Sequence, residues 1–297
     1  MNIAIVGATG NVGRKMLEVL EQKKIPVDQL YLVASARSAG QKISFNGKEH
    51  QIYNLETYDF SKAEITFFAA GGKISEQYAE KAAKHTTIID NSSFFRMDSE
   101  VPLIVPQVNP EAINNLKKNI VANPNCSTAQ LVIALKPLHD EFDIKRVVIS
   151  TYQSVSGGGK TPMDELIEQT KLSLDSQKIK SKNFTKQIAF NAIPHIDVFA
   201  DDGYTKEELK IINETKKILD QKIELTATCV RIPVLVSHAE AVNIEFEKPF
   251  SLEKVRSLLN KAAGCEVYDK REDGGYITPL DAEGKNETYI SRIREDK

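Results

Sequence analysis

The sequence predicts an α/β protein in two parts: a doubly wound parallel sheet over residues 1–124 and an α+β domain over residues 125–297. Three observations carry this reading. Short apolar runs alternate with helical patterns through the first third of the chain, and glycines punctuate the turn between the first strand and the first helix. Beyond Asn123 the apolar segments lengthen and the pattern changes. A length of 297 residues suits about two domains and is enough to bury a large core.

The elements follow in order. Asn2–Val6 reads as a strand, and Val12–Gln22 as a helix with Val12, Met16, Val19 and Leu20 on one face. Leu30–Ala34, Ile65–Ala69 and Ile88–Asp90 read as further strands, with a helix from Ile74 to about Lys84. Asn123-Pro124-Asn125-Cys126 is loop chemistry that opens a helical run from Ser127 to Leu138. Arg146–Gln153, Thr226–Val234 and Ala241–Phe246 are long alternating or apolar segments, spaced by helical stretches at Met163–Leu174, Lys206–Leu219 and Leu252–Ala262. This second part is expected to be largely antiparallel. Lys171–Lys186, rich in Ser and Lys, is expected to be an exposed excursion.

Composition excludes several classes. A net charge of −2 with 27% charged residues lacks the basic footprint of a nucleic-acid binder. Three scattered cysteines, Cys126, Cys229 and Cys265, argue against a disulfide framework and for a reducing compartment. No signal-peptide pattern and no membrane-length apolar run is visible, so a soluble cytoplasmic protein is expected. Neither H-x-x-x-H nor C-x-x-C is present, and no metal site is expected.

Chemistry concentrates at two places. Gly7, Gly10 and Gly13 follow a strand and open a helix, the context in which backbone N–H groups meet a pyrophosphate. The spacing is G-x-x-G-x-x-G. Thr9, Asn11 and Val12 complete the turn, and Gly71 opens the next one. The second strand ends in Ser35, Arg37 and Ser38 where an NAD site carries a carboxylate, so NADP is the expected cofactor. Cys126 stands just ahead of a helix, whose unpaired N–H groups and dipole favour thiolate over thiol and could hold an oxyanion. Such a thiolate suits attack on an aldehyde, hydride transfer and a thioester. A histidine acid/base is then needed; His195 and His238 both qualify, and spacing does not choose between them.

The stretches GATGNVG, ASARSAG, NSSFFRMDSEVPLIVPQVN, NPNCST, TYQSVSGGGK, ETKKIL and CVRIPVLVSHAEAV, spread along nearly the whole chain, resemble those of the aspartate-semialdehyde dehydrogenase family. The resemblance implies a dinucleotide-binding domain followed by a substrate and dimerisation domain, and a small, densely charged ligand carrying carboxylate, ammonium and phosphate. It implies NADPH-dependent conversion of β-aspartyl phosphate to aspartate semialdehyde, on the route to lysine, threonine and methionine, by a homodimer. By motif, Cys126 would be the nucleophile, His238 the acid/base and Gln153 the group orienting the intermediate. Arg231 would clamp the substrate carboxylate, Glu214 the ammonium, and Lys217 and Arg96 the phosphate, while Ser156 and Gly157 would approach the cofactor. A sister N-acetyl-glutamyl-phosphate reductase and a non-catalytic NADP-binding module are the alternatives. The family continues past a stretch like Ser291–Lys297 into a helix that returns to the first domain, so reduced activity is expected of the sequence as it stands.

Overall fold

The computed structural model describes residues 1–296, and contacts within the chain divide it into two compact units, Met1–Pro124 and Asn125–Lys297.

The first unit is built on a seven-stranded sheet. In chain order it contains β1 (Asn2–Val6), α1 (Asn11–Gln22), β2 (Gln29–Ala34), β3 (Lys42–Phe45), β4 (Lys48–Asn54), β5 (Ile65–Phe68), α2 (Gly72–Ala82), β6 (Thr87–Asp90) and β7 (Ile120–Ala122). The strands lie in the order β3-β4-β2-β1-β5-β6-β7, parallel throughout except for the β3–β4 hairpin. Ile3, Ile5, Leu32 and Ile52 of the sheet pack with Leu17 and Leu20 of α1, which is why the apolar face of that helix is specified. Two elements go beyond the sequence reading. The β3–β4 hairpin turns on Asn46-Gly47, both at positive φ (49° and 72°), the backbone that a two-residue hairpin needs. Strand β7 has only three residues, too few to show a period.

The second unit contains α3 (Cys126–Phe142), β8 (Ile144–Gln153), α4 (Lys160–Leu174), α5 (Lys206–Ile218), β9 (Glu224–Arg231), β10 (His238–Phe246), α6 (Leu252–Lys261), β11 (Cys265–Val267), α7 (Pro279–Ala282) and β12 (Thr288–Ile290). Its main sheet has the order β10-β8-β9, and here the structure corrects the expectation of a largely antiparallel arrangement. Strands β8 and β9 are parallel, because the long helical connection between them returns the chain to its starting end; only β10 runs antiparallel to β8. Helix α3 continues a turn past the expected end at Leu138, since Leu138 and Phe142 both bury against Val255 and Leu259 of α6. The 175–187 segment is anchored rather than loose. The Glu165 carboxylate accepts the backbone N–H of Lys182 at 2.8 Å and of Asn183 at 2.7 Å, and Gln169 Oε1 accepts that of Ile188 at 2.8 Å. Among the described residues no helix is long and apolar enough to cross a membrane.

Candidate active site

In the first unit, the Gly-rich turn is shaped by close backbone approach. Gly7 sits at φ 87°, and a Cβ there would meet the Ala69 carbonyl carbon at 2.8 Å. A Cβ on Gly13 would lie 2.8 Å from Ala8 Cα, so neither position tolerates a side chain without movement. Helix α1 begins at Gly10 with no side-chain cap, which leaves its first-turn N–H groups to a ligand. Thr9 is half-buried, while Asn11 and Val12 are exposed at the helix start. Ser35, Arg37 and Ser38 form the turn after β2; Ser38 N–H bonds the Ser35 carbonyl at 2.9 Å, and the Ser35 and Arg37 side chains are exposed. Gly71 stands at φ 87° ahead of α2 with open space where a Cβ would lie. The donor set, an uncapped helix end beside hydroxyl and guanidinium groups, fits a phosphorylated dinucleotide. Gly13→Ala is expected to cost about 2 kcal/mol in urea unfolding through the forced shift of Ala8; an unchanged midpoint would mean the turn yields freely. Arg96 is 8% exposed and donates from Nε to the Asn123 carbonyl at 2.9 Å and from Nη2 to that of Asn91 at 3.1 Å.

In the second unit, sheet register assembles the remaining groups. Gln153 of β8 pairs with Arg231 of β9 on one side and with His238 of β10 on the other. Directly paired residues share a face, so Arg231, Gln153 and His238 form one transverse row. Of the two candidate histidines, His238 lies in this row. His195 instead stacks on Phe199 with ring centroids 4.4 Å apart, outside the row.

Cys126 is the first residue of α3, and Asn125 Oδ1 caps the helix by accepting the Ser127 N–H at 2.9 Å. Its side chain is exposed, and the Arg231 guanidinium senses its charge. The other cysteines differ. Burial pushes the Cys229 thiol up to about 12 and the Cys265 thiol up to about 11, so both are inert near neutral pH.

Helix α5 ties the nucleophile loop to the row. The Glu207 Oε1 accepts Asn125 Nδ2 at 2.9 Å and Gln153 Nε2 at 3.1 Å, and Oε2 accepts Lys210 Nζ at 3.1 Å. Burial pushes the Glu207 carboxyl up, but the Lys210 charge and the donated hydrogen bonds outweigh it and hold the group below the usual range. Lys210, pushed down by burial, is held higher by Glu207 and Asp197, so the pair is ionised at neutral pH. Thr151 Oγ1 donates to Gln153 Oε1 at 2.9 Å, fixing the amide so that its NH2 faces Glu207. Glu214, 1% exposed, accepts the Asn125 backbone N–H at 2.6 Å and so braces the nucleophile's cap. Lys217 lies half-buried three residues on. The sequence reading singled out Glu214 and Lys217; the groups that bond Gln153 are Glu207 and, through it, Lys210. Both pairs have the spacing E-x-x-K, one heptad apart on the same face of α5, so spacing alone could not separate them.

Burial, and then the Arg231 charge, lower the His238 imidazole below its ordinary value, so it is neutral at pH 7. Arg231 Nη1 donates to the Ser154 carbonyl at 2.6 Å. A Cβ on Gly157 would lie 3.3 Å from Arg231 Nη1 and 3.7 Å from His238 Nε2, so glycine keeps that space open. Ser156 is half-buried, with Oγ 3.0 Å from Ser154 Oγ.

One buried carboxyl was not foreseen. Glu240 pairs with Thr151, one step along the face from His238, and its Oε1 is sealed from solvent without a hydrogen-bond partner. The residue as a whole is half-buried, but burial of the carboxyl pushes it up to about 8, against the pull of the Gln130 amide. From its ordinary value of 4.5 up to about 8, the folded chain keeps a proton that the unfolded chain has released, so stability falls as pH rises through that window. Glu240→Gln is expected to flatten this fall and to exceed the wild type by up to roughly 5 kcal/mol above it. Parallel stability–pH curves for the two proteins would contradict the assignment.

Comparison with known proteins places the chain in a family. Residues 2–116 match the family model for the semialdehyde dehydrogenase NAD binding domain, and residues 135–297 match that for the semialdehyde dehydrogenase dimerisation domain. The chain is 50% identical to an aspartate-semialdehyde dehydrogenase of Aquifex aeolicus over 99% of its own length and 88% of that protein's. It is 47% identical to aspartate-semialdehyde dehydrogenase 2 of Vibrio cholerae, again over 99% and 88% of the two chains. A crystal structure of aspartate semialdehyde dehydrogenase II from Vibrio cholerae superposes with a TM-score of 0.96 at 47% identity, covering 99% of this chain and 88% of that one. A second structure of the Vibrio protein, complexed with ASA, matches with the same TM-score of 0.96.

Proposed function

Because the chain belongs to the aspartate-semialdehyde dehydrogenase family, we propose that it reduces β-aspartyl phosphate to aspartate semialdehyde with NADPH, through a thioester on Cys126, in the biosynthesis of lysine, threonine and methionine. The observation that carries this reading is the row Arg231–Gln153–His238, joined through Glu207 and Asn125 to an exposed cysteine at the start of a helix.

The sulfur adds to the acyl carbon, the carbon–oxygen bond to phosphate breaks, and phosphate leaves with the electron pair. The helix start stabilises the thiolate, and its N–H groups suit the oxyanion that forms on addition. Arg231 offers a guanidinium to the substrate carboxylate, and Gln153, locked by Thr151 and Glu207, orients the acyl group. Glu214, whose carboxylate braces the Asn125 N–H, is the proposed partner of the ammonium, while Glu207, already accepting from Asn125, Gln153 and Lys210, holds the groups around it. Lys210 joins Lys217 and Arg96 as a candidate for phosphate. NADPH supplies the hydride when bound. Gly7, Thr9, Gly10, Asn11, Val12 and Gly13 would hold its pyrophosphate, and Ser35, Arg37 and Ser38 its 2′-phosphate; Gly71, Ser156 and Gly157 would line its path. The protein would work as a homodimer in the cytoplasm.

The test is an NADP+-reduction assay with aspartate semialdehyde and phosphate, run beside N-acetyl-glutamate semialdehyde. A strong preference for the free-amine aldehyde, with NADP+ over NAD+, is the expected result. Preference for the acetylated aldehyde would remove the role of Glu214, and no turnover of either would remove the reaction.

A further inference from the structure

The chain between β6 and Arg96 forms no helix or strand, yet one carboxylate shapes it. Asp90, the last residue of β6, is closed to solvent. Its Oδ1 accepts the Ser92 backbone N–H at 3.1 Å and the Ser75 hydroxyl of α2 at 2.7 Å, and its Oδ2 accepts the Ser92 hydroxyl at 2.7 Å. Ser92 Oγ accepts in its turn the Phe94 N–H at 3.2 Å. A side chain that captures the amide two residues on closes a turn, and the Ser92 hydroxyl extends that turn by two more residues. The chain is thereby brought back to the strand end it has just left. Arg96 arrives there with Nη2 on the Asn91 carbonyl and Nε on that of Asn123, the residue after β7. Both carbonyls belong to a clamped pair: Asn123 Nδ2 donates to Asn91 Oδ1 at 2.6 Å, and the Asn123 N–H donates to the Asp90 carbonyl at 2.8 Å. Two bonds from one planar guanidinium fix its plane.

From this geometry we infer that Asp90 is the positioning residue of the phosphate site: through Ser92 it sets the turn that aims the Arg96 guanidinium, and it acts through that group alone. The inference deepens the reading of Arg96 as a phosphate ligand and rests on it. A guanidinium recognises phosphate by a planar fork, so a tilted fork loses affinity even though its charge is unchanged. An amide in place of the Asp90 carboxylate keeps one acceptor oxygen but sets an NH2 donor against the Ser92 hydroxyl, which then has to turn its own proton away. The Ser75 bond has a separate use, since it ties the strand end to α2 and takes no part in the turn.

The experiment measures the affinity of the full chain for inorganic phosphate by 31P line-width titration, which needs no turnover. Asp90→Asn is expected to weaken phosphate binding roughly 10-fold. Ser92→Ala, which cuts the turn and leaves the carboxylate, is expected to weaken it roughly 5-fold. Ser75→Ala should bind phosphate as the wild type does. Arg96→Lys keeps the charge and gives up the fork, and in that background Asp90→Asn should bring no further loss, because the guanidinium it aims is gone. Undiminished phosphate affinity in a folded Asp90→Asn protein overturns the inference. So does an equal loss from Asp90→Asn with and without Arg96→Lys, or a loss from Ser75→Ala as large as that from Ser92→Ala, since either result means that the strand end has merely loosened. If Asp90→Asn does not fold, Ser92→Ala decides by the same comparisons, alone and with Arg96→Lys. Full phosphate affinity in Arg96→Ala would instead remove the phosphate reading of Arg96 itself, and the two failures are read in different variants.

Discussion

Cys126→Ser is expected to lower kcat by on the order of 10⁴-fold or more while leaving the fold and NADP binding intact. Cys126 is exposed, and its sulfur makes only a long 3.9 Å contact to Asn125 Oδ1, while the α3 cap rests on the Ser127 N–H to Asn125 Oδ1 bond and the Asn125–Glu214 bond. A serine hydroxyl at the same helix start remains protonated and attacks poorly, so the loss should fall on the chemical step. Cys229→Ser tests the contrast: its thiol is buried and pushed up to about 12, so its replacement should alter stability and spare the nucleophile. Steady-state rates and thermal melts of both variants separate the two outcomes. Equal loss of turnover in both would mean that the buried cysteine takes part.

Glu207→Gln should produce the second-largest effect, a fall in kcat/KM of roughly 10²- to 10³-fold, corresponding to about 3–4 kcal/mol. Its carboxylate accepts from Asn125, Gln153 and Lys210 at once, and a neutral amide can offer an oxygen to only one side of that set. Lys210 then faces an NH2 group and Gln153 loses part of its anchor. Glu214→Gln keeps an acceptor for the Asn125 N–H but loses the charge that would meet the substrate ammonium, so its effect should fall mainly on KM. Parallel kinetics of the two variants separate these roles; an unchanged KM in Glu214→Gln would remove the ammonium assignment from Glu214.

These cases show which parts of the molecule were legible in the sequence. The Gly7–Gly13 turn was, because close backbone approach excludes every side chain and leaves glycine as a visible mark. So was Cys126, since Asn125 before it is a capping residue and the apolar run after it is helical. That Glu207 and Lys210 hold Gln153 was not, because the same spacing recurs at Glu214 and Lys217 on one face of α5 and only tertiary distances show which pair bonds it. The choice of histidine depended on register: His238 lies opposite Gln153, a relation between strands distant in sequence. Strand β7 lacked the length to show alternation, whereas the β3–β4 hairpin carried a readable Asn46-Gly47 signal after the alternating Ile43 and Phe45.

The claim on which the rest depends is that Cys126 carries the acyl group. It is tested most directly by mixing the protein with β-aspartyl phosphate in the absence of NADPH, quenching in acid, and locating the adduct by intact-mass and peptide mass spectrometry. One aspartyl group on the peptide containing Cys126, discharged by hydroxylamine and by NADPH, is the result the account predicts. An unmodified Cys126, or an adduct on Cys229 or Cys265 instead, would contradict it.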